Sequence, residues 1–243
     1  GKAFQDWPST ISIYNIYVRI NIMRLNSFSL LSLLTILCVG LFIFSLCTGP
    51  TNIDIAQAFN SWFSNTENLP MLILHEIRLP RALLATVIGA TLGLAGAALQ
   101  GLLRNPLAGP GLIGVSNCAA LGAVIALYFG LSENFWFAVP LAGMIGATCS
   151  ILIIFLLAGR NSSILTLLLA GVAVNAVASS LISLALNFAP NPYAMSEIVF
   201  WLLGSIANRS LTDFYMVIPF MLIGWLIILS SGPFLNALSL GEE

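Results

Sequence analysis

Charge is what this sequence has least of. Asp, Glu, Lys and Arg make up 7% of its 243 residues and apolar residues 59%, against roughly a quarter charged in a soluble domain. With a mean hydropathy of +1.01, it reads as a polytopic membrane protein and not as a soluble domain with a large core. His75 is the only histidine and has no cysteine or second histidine near it in the sequence, which argues against a zinc site. Lys2 is the only lysine, and no G-x-x-x-x-G-K-[ST] occurs. The chain therefore has no P-loop, and any ATP must be held by another subunit. Cys38, Cys47, Cys118 and Cys149 all lie in apolar runs with no C-x-x-C spacing, so they read as small packing residues. A net charge of -1 and the lack of a basic run give no reason to expect a nucleic-acid partner.

What is present is a series of uncharged gaps. They run between Arg24 and Asp54, Arg81 and Arg104, Arg104 and Glu133, Glu133 and Arg160, Arg160 and Glu197, and Asp213 and Glu242. Each is long enough for a helix of ~20 residues to cross the hydrocarbon core. Spans are expected near 27–48, 81–103, 112–130, 135–158, 163–187 and 210–231. The fold class is all-α, a transmembrane helical bundle. Residues 1–23 are a separate N-terminal segment, with no fold or function assigned to its first 22 residues; Met23-Arg24 ahead of an apolar run reads as a native beginning. Arg19 and Arg24 before the first span suit a cytoplasmic N-terminus. A cleaved signal peptide is the rival, but the apolar stretch is long for one and no A-x-A-like site follows. By alternation the inside segments are 1–26, 104–111, 159–162 and 232–243, with Lys2, Arg19, Arg24, Arg104 and Arg160. Residues 49–80 form a polar outside connection.

The densest stretch runs from Arg78 to Gly122. Gly89, Gly93, Ala97 and Gly101 recur every four residues, a spacing that lets another helix approach closely, and the other spans are expected to pack around this one. Gly143, Gly146 and Ala147 give the fourth span a second tight face. The order R-x-P-R, small-residue helix, Q-x-x-x-R-N-P-L-A, G-x-x-G-V-S resembles the permease subunits of the FecCD family, binding-protein-dependent ABC importers for ferric siderophores, haem and cobalamin. The resemblance implies a type II ABC importer transmembrane domain over residues 24–243, broken off at its cytoplasmic coupling loop with further spans to follow. It also implies a bacterial cytoplasmic (inner) membrane location.

The resemblance assigns roles that the residues alone leave open. Arg78 and Arg81 bracket Pro80 at a helix start. They read either as interfacial anchors or, as the family implies, as a docking patch for an acidic substrate-binding protein outside the cell. Asn105 and Leu107 lie in a short proline-bounded loop. Asn161, Ser162 and Ser163 lie in a second. Each reads as ordinary loop or capping polarity, or, by resemblance, as one half of a cytoplasmic gate. Gly171, Asn175, Ser179, Ser183 and Asn187 form a small and polar stripe on the fifth span. An asparagine is costly in the bilayer unless it meets a partner or water, so the stripe is a packing seam or, as in the family, the wall of the translocation pathway. Trp201, in W-L-L-G-S, reads as an interfacial anchor beside the outer mouth of that pathway. The tail L-x-x-L-x-L-G-E-E, with Leu238, Leu240, Gly241, Glu242 and Glu243, matches the start of the family's coupling helix and places that helix near residue 241.

The function expected is the permease subunit of an ABC importer, carrying an iron complex: a ferric siderophore first, haem or cobalamin next. The chain is not itself an enzyme and binds no cofactor; ATP and Mg belong to the partner ATPase. The expected partners are a second permease subunit, two ATP-binding subunits, a substrate-binding protein and the lipid bilayer. An ion-coupled secondary transporter would need ionisable groups inside its spans, and none lies in their interiors here. A non-transporting scaffold would leave the L-S-L-G-E-E tail unexplained.

Overall fold

The computed structural model describes residues 27–64, 68–160 and 163–240, and all regular structure among them is helical. The elements are α1 (Ser27–Cys47), α2 (Ile55–Phe63), α3 (Leu69–Leu72), a π-helical turn (Ile73–Arg78), α4 (Leu79–Leu103), a 3-10 turn (Pro110–Ile113), α5 (Val115–Tyr128), α6 (Leu131–Asn134), α7 (Ala138–Ala158), α8 (Ile164–Asn187), α9 (Pro192–Leu203), α10 (Leu211–Ser230) and α11 (Gly232–Leu240). The N-terminal segment 1–23 lies outside the described residues.

Among the described residues five helical segments are long and apolar enough to cross a membrane: Phe28–Cys47, Leu69–Leu103, Ala138–Ala158, Ile164–Asn187 and Leu211–Ser230. Six were expected. The difference is the third, where α5 has only 14 residues. At 1.5 Å per residue that is about 21 Å, short of the ~30 Å hydrocarbon core. Backbone geometry cuts it at both ends. Gly114 stands in the left-handed region at φ 75° and holds the start to Val115, and Gly130 at φ 64° ends the run beyond Phe129.

The connection 49–80 is also not the simple polar link its composition suggests. It folds into α2 and α3, and the second span is helical from Leu69. Pro80 consequently lies well inside a helical run instead of in its first turn. Proline lacks an N–H and clashes with the carbonyl four residues back. The run accommodates it with the π turn just before, where the Leu79 N–H bonds the Leu74 carbonyl, a step of five.

The chain divides into two compact units, through Ala82 and from Leu83. In the first, Asp54 caps α2 by accepting from the amides of Ala56 and Gln57. Asn68 caps α3 by accepting from Met71 N–H and also reaches Ser61 Oγ. Ala58, Ser61, Leu74, Arg78, Pro80 and Ala82 are buried in this unit.

In the second unit the packing centre is not the helix the glycine spacing suggests. Gly89 and Gly93 of α4 and Ala97 are exposed, and a Cβ added at Gly89, Gly93 or Gly96 would meet nothing within 4 Å. Only Gly101 approaches another element, Leu235 at 3.9 Å. The close approach is between α5 and α7. A Cβ on Gly122 would collide with the Ala142 carbonyl, and one on Gly146 with the Cys118 carbonyl. Of the face expected to be tight, Gly146 is therefore in close approach with α5 as its partner, while Gly143 makes only an ordinary contact with it. Helix α8 packs across this pair. Val124, Leu127, Ile182 and Ile198 form one buried cluster, and Ile154, Ala170 and Val174 another. Trp201, read as an interfacial anchor, packs against the first cluster.

Candidate functional site

The two arginines of R-L-P-R have different surroundings. Arg78 retains 6% exposure. Its Nη1 donates to the carbonyls of Leu46 (2.9 Å) and Cys47 (2.8 Å), and its Nη2 to that of Thr51 (2.6 Å). Leu46 and Cys47 end α1, where helix carbonyls lack internal partners. The guanidinium thus caps the first span across the Gly49-Pro50 turn. Arg81 is exposed and makes no hydrogen bond or ion pair among the described residues. Both arginines line a cavity of about 320 Å³, whose other wall is Ser45, Thr48 and the turn Gly49–Thr51. The expected pair of outward cations is, in this geometry, one outward cation and one buried one. Nothing in the local sequence separates them, because the acceptors of Arg78 are backbone groups about 30 residues away.

The first proposed gate loop is tightly built. Arg104 adopts φ 49°, and behind it Asn105 N–H bonds Gln100 O while Arg104 N–H bonds Gly101 O. This paired closure is the Schellman end of a helix, with arginine where glycine is usual. The Asn105 side chain accepts from Leu107 N–H at 2.9 Å, and Gln100 Nε2 donates to Pro106 O at 3.1 Å. Asn105 therefore shapes the loop and does not cap a helix. The result is that Leu107 projects, 87% exposed, beside a buried Ala108. In the second loop Ser163 caps α8, accepting from Thr166 N–H. Asn161 and Ser162 lie outside the described residues, and with them the pairing of the two loops.

The stripe on α8 divides in two. Its first half is a seam. Gly171 faces the 3-10 turn, and a Cβ there would press on Ile113 O at 3.1 Å. Gly114, in G-V-S, sits so close to Gly171 O and Asn175 that no side chain would fit. Ser179 accepts a hydrogen bond from Asn117 Nδ2 at 2.9 Å and donates to Asn175 O. The second half, Ser183 and Asn187, is exposed, with each side chain turned back to a carbonyl of its own helix. Asn117 follows directly on the G-V-S string. Its partner lies 62 residues on, beyond any local periodicity.

Leu238 and Leu240 fall in the last turns of α11, which begins at Gly232. Pro233 stands near the N-terminus of α11, where a missing N–H costs nothing, and the helix expected to begin near residue 241 falls outside the described residues. Gly241, Glu242 and Glu243 lie outside the described residues.

Comparison with known proteins agrees with the sequence resemblance. A profile described as the FecCD transport family matches residues 35–243. An uncharacterized ABC transporter permease protein, YvrB of Bacillus subtilis (strain 168), is 35% identical over 77% of this chain and 54% of its own length. The vitamin B12 import system permease protein BtuC of Citrobacter koseri is 34% identical over 92% of this chain and 64% of its own. A solved ABC transporter in an inward-facing conformation, described as of metal-chelate type, superposes with a TM-score of 0.72 at 31% identity, covering 86% of this chain and 62% of that one. The chain thus spans roughly half to two thirds of the length of these relatives. The profile takes in the R-N-P-L-A loop, the striped helix α8 and the L-S-L-G-E-E tail alike, and by that match the chain belongs to the FecCD transport family.

Proposed function

We propose that this chain is part of the permease subunit of a binding-protein-dependent ABC importer of the bacterial inner membrane. The observation that carries the reading is the family match over residues 35–243, laid on five helical segments, among the described residues, that are long and apolar enough to cross a membrane. A second permease copy or homologue completes the pathway. Two ATP-binding subunits drive it from the cytoplasm, the side of the N-terminus. A substrate-binding protein delivers cargo outside. Energy enters as nucleotide-driven closure of the ATPase pair and biases a bistable arrangement of helices. The relatives named for vitamin B12 and for a metal chelate share one chemistry, a bulky chelated metal. The cargo we propose is of that class, a ferric siderophore, with haem and cobalamin its other members.

Within this reading Arg81 is the docking cation. Leu107 and Asn105 belong to one lip of the cytoplasmic gate, and Asn161, Ser162 and Ser163 to the other. Ser183 and Asn187 of the α8 stripe face the pathway. The end of α11, with Gly241, Glu242 and Glu243, couples to the ATPase.

The test is reconstitution of the full chain in proteoliposomes with the ATPase and binding protein that co-purify with it. Uptake of ferric siderophore, haem and cobalamin is measured with and without ATP. ATP-dependent, binding-protein-dependent uptake is expected. Uptake driven by an ion gradient without an ATPase would replace the reading with secondary transport. No uptake and no ATPase partner would leave a scaffold.

A further inference from the structure

The R-L-P-R motif presents two guanidiniums three residues apart, on one helix face, and both border one cavity. Arg78 is buried, yet among the described residues it has no carboxylate partner; the only ion pair there is His75 with Glu76. A desolvated cation without a counter-ion is costly. Here the compensation is three charge-assisted bonds of 2.6 to 2.9 Å to carbonyls, two of them at the negative end of the α1 dipole. Carbonyl dipoles offset the desolvation but leave the net positive charge in place. Gly49 passes so near that an added Cβ would stand 2.9 Å from both Nε and Nη2. The turn is therefore built around the guanidinium, and the absence of a side chain at Gly49 makes room for it.

We propose that Arg78 is a positioning residue. It clamps the carbonyl end of the first span to the π turn and floors, with fixed positive charge, the cavity beside which the exposed Arg81 meets an acidic group of the partner. The clamp stands on the geometry by itself; its consequence for docking rests on the reading of Arg81 given above. A planar fork reaching three carbonyls is something arginine does and lysine does not, so the clamp is specific to the residue and not to its charge.

The experiment uses the full chain with its co-purifying ATPase and binding protein, and two readouts. One is the Tm of the complex in detergent. The other is affinity for the binding protein at low and high salt. Arg78→Gln should lower Tm by roughly 5 °C, and Arg78→Lys should not restore it. Arg81→Gln should leave Tm unchanged and cost about tenfold in affinity at low salt, an effect that vanishes at high salt. Gly49→Ala should lower Tm in the wild-type background and add little to Arg78→Gln, since the atom it strikes is then gone. That pair keeps the test alive if Arg78→Gln assembles poorly. A wild-type Tm for Arg78→Gln, or an additive Gly49→Ala effect, overturns the clamp. Equal salt-dependent losses from Arg78→Gln and Arg81→Gln at unchanged Tm would make them an ordinary surface pair. A lowered Tm for Arg78→Gln with no affinity change in Arg81→Gln would remove the docking reading and leave the clamp.

Discussion

Single residues in this chain are constrained mostly by backbone that comes close to them. Gly122 and Gly146 lie opposite the carbonyls of Ala142 and Cys118, with no room for a Cβ, while a Cβ at Gly143 would stand at 3.5 Å from Ala119 O, an ordinary contact. We therefore expect Gly122→Ala and Gly146→Ala each to destabilise the protein by about 1–3 kcal/mol or more, and Gly143→Ala to be nearly neutral. Thermal unfolding of the three variants in one detergent checks the ranking. Equal effects would mean that α5 and α7 do not meet along this face. Arg104 makes the opposite case. Its φ of 49° costs a residue with a Cβ about 1 kcal/mol relative to glycine. Arg104→Gly should leave stability equal or slightly higher, and Arg104→Val should lower it, in the same unfolding measurement.

At the scale of elements, α8 is where chemistry and packing share a helix. Asn175 and Ser179 are tied to the start of α5 through Gly114 and Asn117, while Ser183 and Asn187 are open. In a chain whose four native cysteines are replaced, cysteines at Ser183 and Asn187 should react quickly with small polar thiol reagents, and cysteines at Ala178 and Ile182, both buried, should not. Fast labelling at Ser179 would open the seam and return the whole stripe to the pathway. Removing the interhelical donor with Asn117→Ala should cost about 0.6 kcal/mol, the usual size for such a bond in a membrane protein. Its effect should fall on stability and leave ATP hydrolysis unchanged.

For the whole molecule the relevant quantity is coupling between ATP hydrolysis and movement of cargo. In the proposed importer the segment after α11 is seated in the ATPase. Gly241→Trp in the full chain should therefore raise the ATP consumed per cargo molecule severalfold without reducing membrane insertion. Both rates are measured in the same proteoliposomes with binding protein present. Normal stoichiometry, or labelling of a cysteine at Asn236 from outside the cell, would sink the coupling assignment and the sidedness that goes with it.

Composition and order of residues were enough for the class of this protein. Uncharged runs long enough to cross a bilayer force helices, because backbone groups in lipid must bond within their own segment. The string from Arg78 through Ser116 is specific enough to carry the family resemblance. Periodicity also finds Gly146, where α7 meets α5 with no room for a Cβ. At Gly89, Gly93 and Ala97 it marks a face that stays exposed among the described residues, because spacing shows that a helix can approach and not that one does. Sequence likewise allows a third full span where left-handed glycines at 114 and 130 hold α5 to 14 residues. The two arginines at 78 and 81 are the sharpest instance. They read alike along the chain, and only the folded turn at Gly49-Pro50 brings the Leu46, Cys47 and Thr51 carbonyls to one of them. Backbone carbonyls carry no residue identity, so the sequence holds no mark of which arginine they will choose; the tertiary fold decides it by placing three carbonyls within reach of Arg78, while the Arg81 side chain makes no hydrogen bond among the described residues.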